Sequence, residues 1–281
     1  MLKQRIVTAL VMLALLLPAL FATDTRFFMG LTLLLIAAAA WEWARLNHIV
    51  GSSAQLAGAG CALACLGLWA WGWTHAVTPA LWWMCGLVWP VLAFVLLRAG
   101  VESWTRFPRA LRAAGGWLAL GVTWLAVAQA RSLGVNFLLS ALALVWAADI
   151  AAYFFGRALG GRLVKRKLAP SISPGKSWEG ALGGVLGVLL LGFLWQTLDT
   201  LWAAPQPSLY SRLWAQGAGV FVVTLLGLTA ISVAGDLMES LVKRSAGVKD
   251  SSALLPGHGG VLDRIDAIIP TVPLVLFSIS I

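Results

Sequence analysis

The chain has 281 residues, of which 60% are hydrophobic and only 11% are charged, whereas soluble domains carry about 25% charged residues. This composition excludes an ordinary soluble globular protein and indicates a polytopic membrane protein. Sixteen tryptophans fit that interpretation, because tryptophan concentrates at membrane interfaces. The net charge is +9, yet no charged segment is long enough to form a separate soluble domain. The function must therefore reside in the helices and in the loops between them.

A membrane-spanning helix needs roughly 20 mainly apolar residues, and nine stretches of this sequence approach that length. The sequence therefore predicts an all-α fold, with residues 1–281 forming a single polytopic membrane domain without internal repeats. The last stretch is short and contains two prolines, so its depth in the bilayer stays open. The predicted spans are 5–23, 27–46, 54–73, 77–97, 111–130, 133–156, 180–202, 213–236 and 264–281.

The first span begins as a secretory signal does, with Lys3 and Arg5 before an apolar run that ends in ALFA. Because that run is long and the second span follows almost at once, we predict that this helix is retained. Its removal would leave the orientation of the other helices unchanged.

The basic residues are distributed unevenly among the predicted loops. If the N-terminus lies in the cytoplasm, 17 of the 20 lysines and arginines fall on the cytoplasmic side, and only Arg26, Arg131 and Arg212 fall outside. The positive-inside rule therefore predicts this orientation in the cell (inner) membrane, with a site formed by the later loops facing the cytoplasm.

The eleven acidic residues form two groups along the chain. Four of them lie near predicted membrane edges, and we expect no site role for these four, which are Asp24, Glu42, Glu102 and Asp199. The remaining seven lie in the second half, at or near the predicted cytoplasmic face. They are Asp149, Glu179, Asp236, Glu239, Asp250, Asp263 and Asp266.

Asp149 lies in the sixth span, about 10 Å from its cytoplasmic end by helical rise. A carboxylate at that depth is costly unless it is paired, hydrated or bound to a ligand. Tyr153 follows one turn later on the same face. The sequence leaves two interpretations open, a structural partner for a nearby arginine or tyrosine and a group that contacts substrate.

The eighth span carries a polar stripe into the cytoplasm. Ser232, Asp236, Glu239 and Lys243 follow i, i+4, i+7, i+11 spacing, and Ser240 lies one turn after Asp236. Such a stripe can line a helix contact. Alternatively, two acids at the end of an apolar helix can hold a divalent cation through their oxygens.

Asp263 and Asp266 are three residues apart and share a face if this segment is helical. Together with Asp236 and Glu239 they would form a cluster of four carboxylates, which repel one another unless cations bridge them. Mg²⁺ prefers a few carboxylates together with phosphate oxygens and water. The sequence therefore predicts a site for Mg²⁺ and phosphate at the membrane surface.

Two segments offer groups that suit phosphate. The glycines of PGHGG, residues 256–260, let a ligand approach the backbone closely. In the loop 157–179 we assign Lys176 to phosphate, whereas Lys165 to Lys167 are interpreted as a positive-inside anchor. His258 has three open interpretations, which are a phosphate donor, a proton-transfer group and a turn residue.

The segment SLVKRSAGVKDSSALLPGHGGVLDRID, residues 240–266, closely resembles the C-terminal signature of the phosphatidate cytidylyltransferases, or CDP-diacylglycerol synthases. Its elements are Ser-x-x-Lys-Arg, a Lys-Asp pair, His-Gly-Gly and Asp-Arg-x-Asp. DIAAYFFGR and SPGKSWEG resemble upstream motifs of the same family. The resemblance in motifs covers about residues 149–266, whereas the first five spans match only in being apolar.

The resemblance implies transfer of CMP from CTP to phosphatidate, which gives CDP-diacylglycerol and pyrophosphate, and a requirement for one or two Mg²⁺ ions. It implies that Asp236 and Asp263 are the principal metal ligands, with Glu239 and Asp266 close by. As catalytic residues we assign Asp236, Asp263, Lys243, Lys249 and His258. As substrate-binding residues we assign Asp149, Tyr153, Ser173, Lys176, Ser177, Ser240, Arg244, Asp250, Gly259, Gly260 and Arg264.

The chain then divides by expected role. Residues 1–132 would form a scaffold that makes dimer or lipid contacts, and residues 133–281 would form the catalytic part, with cytoplasmic loops 157–179 and 237–266. The expected partners are CTP, phosphatidate, membrane lipids and a second copy of the chain, without nucleic acid.

Three alternatives stay open at this point. One is a relative that transfers CMP to another lipid phosphate. Another is a CDP-alcohol phosphotransferase, although its Asp-x-x-Asp-Gly signature is absent from the sequence. The last is a transporter, although the polar residues here concentrate in one half of the chain and on one side.

Overall fold

The described part of the chain folds into twelve helices and contains no β-strand. A computed structural model describes residues 2–75 and 77–280, without the side chains of residues 2 and 3. Residues 1, 76 and 281, which fall within the predicted domain, and the predicted cytoplasmic charge of Lys3 lie outside this description. The helices are α1 (Leu2–Phe21), α2 (Thr25–Leu46), α3 (Ser52–Ala70), α4 (Pro79–Ala99), α5 (Val101–Trp104), α6 (Arg109–Leu133), α7 (Val135–Leu159), α8 (Trp178–Leu201), α9 (Leu209–Ala215), α10 (Ala218–Ser245), α11 (Leu262–Ile265) and α12 (Ile268–Ser278).

Eight of these helices are long and apolar enough to cross a membrane. They correspond to the first eight predicted spans, so the prediction of an all-α polytopic membrane protein is confirmed. The ninth predicted stretch instead gives α12, whose eleven residues extend about 17 Å and do not cross a 30 Å hydrocarbon core. Most of α12 is buried, and it packs against α4, α6 and α10. This last helix is therefore a core element of the bundle.

Local sequence signals explain where several helices begin. The Asp24 carboxylate caps α2 by accepting a hydrogen bond from the backbone N–H of Arg26. Pro79 occupies the first turn of α4, where its missing N–H costs nothing. Between α6 and α7 only Gly134 intervenes, with φ of 133°, and a Cβ there would lie 2.3 Å from the side-chain oxygen of Gln206.

The loops separate into two ends of the bundle, as alternation of the spans requires. At one end Thr8 donates to the backbone oxygen of Pro256 at 2.9 Å, and Arg109 donates to that of His48. We call this the basic end; it is formed by residues 47–51, 100–108, 160–177 and 246–261. At the opposite end, the Gln129 side chain donates to the backbone oxygen of Trp73 at 2.7 Å.

The helices α7 and α8 approach closely because α8 presents glycines to α7. A Cβ on Gly184 would lie 3.0 Å from the backbone oxygen of Ala148, and a Cβ on Gly183 would lie 2.3 Å from the Cβ of Phe155. Small residues spaced along one face let membrane helices pack backbone to backbone. This contact fixes the loop 160–177, which joins the two helices at the basic end.

We predict that Gly183→Ala destabilises the protein, because the added methyl overlaps Phe155 and overpacking costs about 1–3 kcal/mol. The thermal unfolding midpoint in detergent, followed by tryptophan fluorescence, should fall by several degrees. Gly121→Ala in α6 is the matched control, since nothing lies within 4 Å of a Cβ at that helical position. Equal midpoints for the two variants would contradict the close packing of α7 on α8.

Candidate functional site

The helix α10 brings the polar stripe of the sequence to the basic end. Asp236 is half-buried, and its Oδ2 lies 2.7 Å from Nζ of Lys176, which comes from the loop 160–177. Ser240 donates a hydrogen bond of 3.3 Å to the Oδ1 of Asp236. Lys176 also lies 3.5 Å from the backbone oxygen of Val233. The structure thus pairs two candidate site residues that lie 60 positions apart in the sequence.

A second ion cluster lies further along α10. Nζ of Lys243 lies 2.6 Å from Oδ1 of Asp263 and also contacts the carboxylate of Glu239. All three side chains are nearly enclosed by protein, with exposed fractions of 4% for both acids and 11% for the lysine. Oε1 of Glu239 has no hydrogen-bond partner among the described residues. One buried lysine therefore balances two buried acids.

Asp263 receives a dense set of donors. Besides Lys243, the backbone N–H groups of Ser251 and Gly260 donate to its Oδ2 at 2.9 and 2.7 Å. Burial disfavours the charged form of this carboxyl group, but these donors outweigh burial and hold its pKa at about 2. Asp263 is therefore ionised at neutral pH.

Asp266 lies beside α10 because Gly235 leaves room for it. A Cβ on Gly235 would lie 2.9 Å from the backbone oxygen of Asp266 and 2.7 Å from Cγ of Pro270. The Asp266 carboxylate accepts a hydrogen bond of 2.7 Å from the backbone N–H of Ala267. Asp266 and Glu239 both line an apolar cavity of about 300 Å³ between α4, α6 and α10.

The four acids do not form the single cluster that the sequence predicts. Within residues 2–75 and 77–280, no three carboxylate, imidazole or thiol groups converge as ligands of one ion would. Lysines accompany three of these acids instead, because Lys176 pairs with Asp236 and Lys243 pairs with both Glu239 and Asp263. The donor set still suits a hard divalent cation, because carboxylate oxygens are available and the buried Oε1 of Glu239 lacks a partner.

A cavity of about 520 Å³ lies next to the pair of Lys176 and Asp236. Its volume falls within the range typical of small-molecule sites. Three separate sequence motifs contribute polar groups to its wall. These groups belong to Asp149, Tyr153, Arg157, Lys176, Ser177 and Asp236.

The side chains of Tyr153 and Arg157 in this cavity pair with each other and not with Asp149. Tyr153 accepts a hydrogen bond of 3.0 Å from Arg157, whereas no hydrogen bond or ion pair involves Asp149 among the described residues. The interpretation of Asp149 as a structural partner of an arginine or of Tyr153 is therefore not supported. Its position in the cavity wall favours contact with a ligand.

The loop 160–177 is held by a buried acid that we had not assigned to the site. Oε1 of Glu179 accepts hydrogen bonds from the backbone N–H groups of Gly161, Leu163 and Val164, at 2.9 to 3.1 Å. Ser177 caps α8 by accepting from the backbone N–H of Gly180, so its hydroxyl oxygen also has a structural role.

The segment PGHGG forms a turn whose glycines face protein groups. Gly259 has φ of 84°, and a Cβ there would lie 2.7 Å from Oδ2 of Asp263. A Cβ on Gly260 would lie 2.0 Å from Oγ of Ser251. The side chains of Asp263 and Ser251 thus occupy the space beside these glycines. Contact of the glycines with substrate stays a prediction. Nδ1 of His258 is buried without a hydrogen-bond partner among the described residues.

Several residues that are assigned from the sequence to catalysis or substrate binding lie outside the cavity of about 520 Å³. Arg244 donates to the backbone oxygen of Val248 at 3.2 Å and is exposed. Lys249, Asp250 and Arg264 are exposed at the basic end as well. Ser173 helps close the loop 160–177, since its backbone N–H donates to the backbone carbonyl oxygen of Ala169 at 2.8 Å. Their contacts with phosphate stay predictions.

The environment of Glu42 differs from the one that the sequence predicts. It is fully buried in α2, and its carboxylate contacts the segment that precedes Asp263. The available signal was a lone acid in an apolar helix, which must find partners when buried. The sequence instead places Glu42 at a membrane edge, where water would satisfy its carboxylate.

Comparison with known proteins covers nearly the whole chain. The model of the cytidylyltransferase family matches residues 3–281. A Pseudomonas aeruginosa protein named phosphatidate cytidylyltransferase is 40% identical over 279 residues, which is 97% of this chain and 95% of that protein. Two further proteins of the same name align over about half of this chain. The Haemophilus influenzae protein is 48% identical, and the alignment covers 44% of its length. The Bacillus subtilis protein is 38% identical, and the alignment covers 48% of its length.

Proposed function

The chain belongs to the cytidylyltransferase family, and on that premise we propose that it transfers CMP from CTP to phosphatidate in phospholipid biosynthesis. The observation that carries the proposal is 40% identity over 97% of the chain to a protein named phosphatidate cytidylyltransferase. The chain is thus a nucleotidyltransferase and an integral membrane protein. This membership argues against the transporter and the CDP-alcohol phosphotransferase.

In the proposed reaction, a phosphate oxygen of phosphatidate attacks the α-phosphorus of CTP. The bond from that phosphorus to the bridging oxygen of the β-phosphate breaks, so CDP-diacylglycerol forms and pyrophosphate leaves. The attacking phosphate is already anionic at neutral pH, and a strong general base is not needed. Catalysis then depends mainly on positioning and on compensation of negative charge.

The cavity of about 520 Å³ at the basic end contains groups that can position phosphate and compensate its negative charge. Lys176 and Arg157 line its wall and can attract phosphate oxygens, while Asp236 holds Nζ of Lys176 at 2.7 Å. The apolar outer faces of α7 and α8 adjoin the same region, where a lipid headgroup and a water-soluble nucleotide can meet. We propose that this end faces the cytoplasm, because it collects most of the basic residues.

For Mg²⁺ we propose Asp236 and Asp263 as principal ligands, with Glu239 and Asp266 close by. The unpartnered Oε1 of Glu239 supports this assignment. When bound, Mg²⁺ would neutralise phosphate charge and favour departure of pyrophosphate. Lys243 sits between two of these acids and would limit their mutual repulsion. Assembly as a homodimer is proposed from the family resemblance alone.

The proposal is tested with purified protein in detergent, supplied with CTP, phosphatidate and Mg²⁺. Formation of CDP-diacylglycerol and of an equal amount of pyrophosphate is the expected result. If other lipid phosphates serve and phosphatidate does not, the acceptor is wrong while CMP transfer stands. No product with any lipid phosphate or divalent metal would overturn the proposed activity.

Lys176→Ala is expected to lower CMP transfer about 10²-fold, because one positive group close to the phosphates is lost. Steady-state kinetics and binding of CTP should be measured together. Loss of transfer with CTP binding intact assigns Lys176 to the lipid phosphate or to the transition state. Lys167→Ala, in the same loop, is the control for general surface charge. Unchanged activity of Lys176→Ala would exclude any role for this lysine.

A further inference from the structure

The carboxylate of Glu42 is enclosed by protein although α2 is otherwise an apolar helix. Its exposed fraction is 0%, and it forms no ion pair within 4 Å among the described residues. Removing a carboxylate from water costs several kcal/mol unless dipoles replace the lost hydration. The donors that replace it therefore show which segment Glu42 holds.

Within the part of the chain that the structure describes, the donors to Glu42 all come from the segment 251–262. The backbone N–H groups of Val261 and Leu262 donate to it at 3.0 and 2.6 Å. The hydroxyl groups of Ser251 and Ser252 lie 3.2 and 2.5 Å from its two oxygens. Oε1 of Glu42 thus has two donors, whereas Oε2 has the N–H of Leu262 and shares the single hydroxyl proton of Ser251 with Asp263. Both ends of the segment are attached to one side chain of α2.

The same segment is also held by Asp263 from its other side. Oγ of Ser251 lies 2.9 Å from Oδ2 of Asp263, and the backbone N–H of Gly260 donates to that oxygen at 2.7 Å. A Cβ on Gly260 would lie 2.4 Å from Oε1 of Glu42. Ser251 and Gly260 therefore lie between the two carboxylates and contact both of them.

We propose that Glu42 is a positioning residue for Asp263, because it fixes the segment 251–262 that orients the Asp263 carboxylate. Its effect on catalysis rests on the proposed function, whereas its effect on the segment does not. Groups that orient a metal-binding carboxylate typically change metal affinity or activity by about 10–100-fold when they are replaced. Glu42 would act on the reaction in this way without touching either substrate.

The decisive variant is Glu42→Gln, which keeps the size of the side chain. A glutamine has one acceptor oxygen, and its NH₂ group would face N–H or O–H donors that need an acceptor. Hydrogen–deuterium exchange of the purified protein should become about 10-fold faster at residues 251–262 and stay unchanged in α7. The Mg²⁺ concentration that gives half-maximal CMP transfer should rise about 10-fold.

Glu102→Gln is the matched control, since Glu102 is an exposed acid at the same end. It removes the same charge, and neither exchange nor Mg²⁺ dependence should change. A wild-type protein without CMP transfer would defeat the proposed function, yet the exchange measurement would still test the contact of Glu42 with the segment.

Unchanged exchange at 251–262 in Glu42→Gln would overturn the inference, and so would faster exchange with an unaltered Mg²⁺ requirement. If that variant aggregates, Ser252→Ala decides instead, because it removes one donor and leaves the charge of Glu42. Exchange should then accelerate about 5-fold in the same segment, as loss of one hydrogen bond predicts. Equal exchange in Ser252→Ala and the wild type would also overturn the inference.

Discussion

Replacement of Asp263 by asparagine should lower CMP transfer from CTP by about 10³-fold, a loss of about 4 kcal/mol of transition-state stabilisation. The substitution preserves shape but removes the negative charge that Lys243 and two backbone N–H groups contact. Asparagine would also turn an NH₂ donor toward those donors or toward Lys243. The initial rate of CDP-diacylglycerol formation measures this effect.

The control for this variant is Asp24→Asn at the opposite end. Asp24 caps α2, and asparagine caps a helix as well as aspartate does, so activity should be unchanged. Size-exclusion profiles must show that both variants are folded. A folded Asp263→Asn enzyme with wild-type activity would remove Asp263 from the active site and leave the proposed reaction standing.

Lys243→Met is expected to have the largest effect on stability. It leaves the buried acids Glu239 and Asp263 without their common cation, and breaking a buried pair costs about 3–5 kcal/mol. The thermal midpoint in detergent should fall by much more than it does in Arg244→Met. Arg244 is the adjacent basic residue, but it is exposed and donates to the backbone oxygen of Val248.

A double-mutant cycle distinguishes this ion cluster from general packing. Lys243→Met combined with Asp263→Asn removes one positive and one negative charge, so part of the lost stability should return. A coupling free energy of about 1–3 kcal/mol is expected between the two sites. Strictly additive losses of unfolding free energy in the cycle would show that the ion pair of Lys243 with Asp263 contributes nothing to stability. Activity should stay low in the double variant.

Much of the architecture follows from local sequence. Eight apolar stretches become eight long helices, because a span is defined by length and hydropathy within one segment. The pairing of Lys176 with Asp236 was anticipated only in part, since both residues were assigned to phosphate or metal. Counting the acids predicted a four-carboxylate cluster, but that count did not include the pairing of Asp236 with Lys176 and of Asp263 with Lys243.

The role of Glu42 could not be read from local sequence. Periodicity shows which residues share a helix face, but it does not show which distant loop will reach that face. The serine partners of Glu42 follow it by 209 and 210 positions. The contact of Thr8 with Pro256 spans 248 positions, and neither partner is unusual in its own segment. The N-terminal helices therefore take part in shaping the basic end, beyond the scaffold role that was expected.

The distance along the chain between Glu42 and its donors has a consequence for biosynthesis. Ribosomes add about 5–20 residues per second, so α2 is made roughly 10–40 s before Ser251 emerges. During that interval the carboxylate must stay near water, because the donors that contact it in the folded protein have not yet been made. The segment 251–262 must then pack against α2, which was inserted earlier, and its donors must replace that water. Maturation of the proposed active site is therefore a late event, since it cannot be completed before residues 251–262 have been translated.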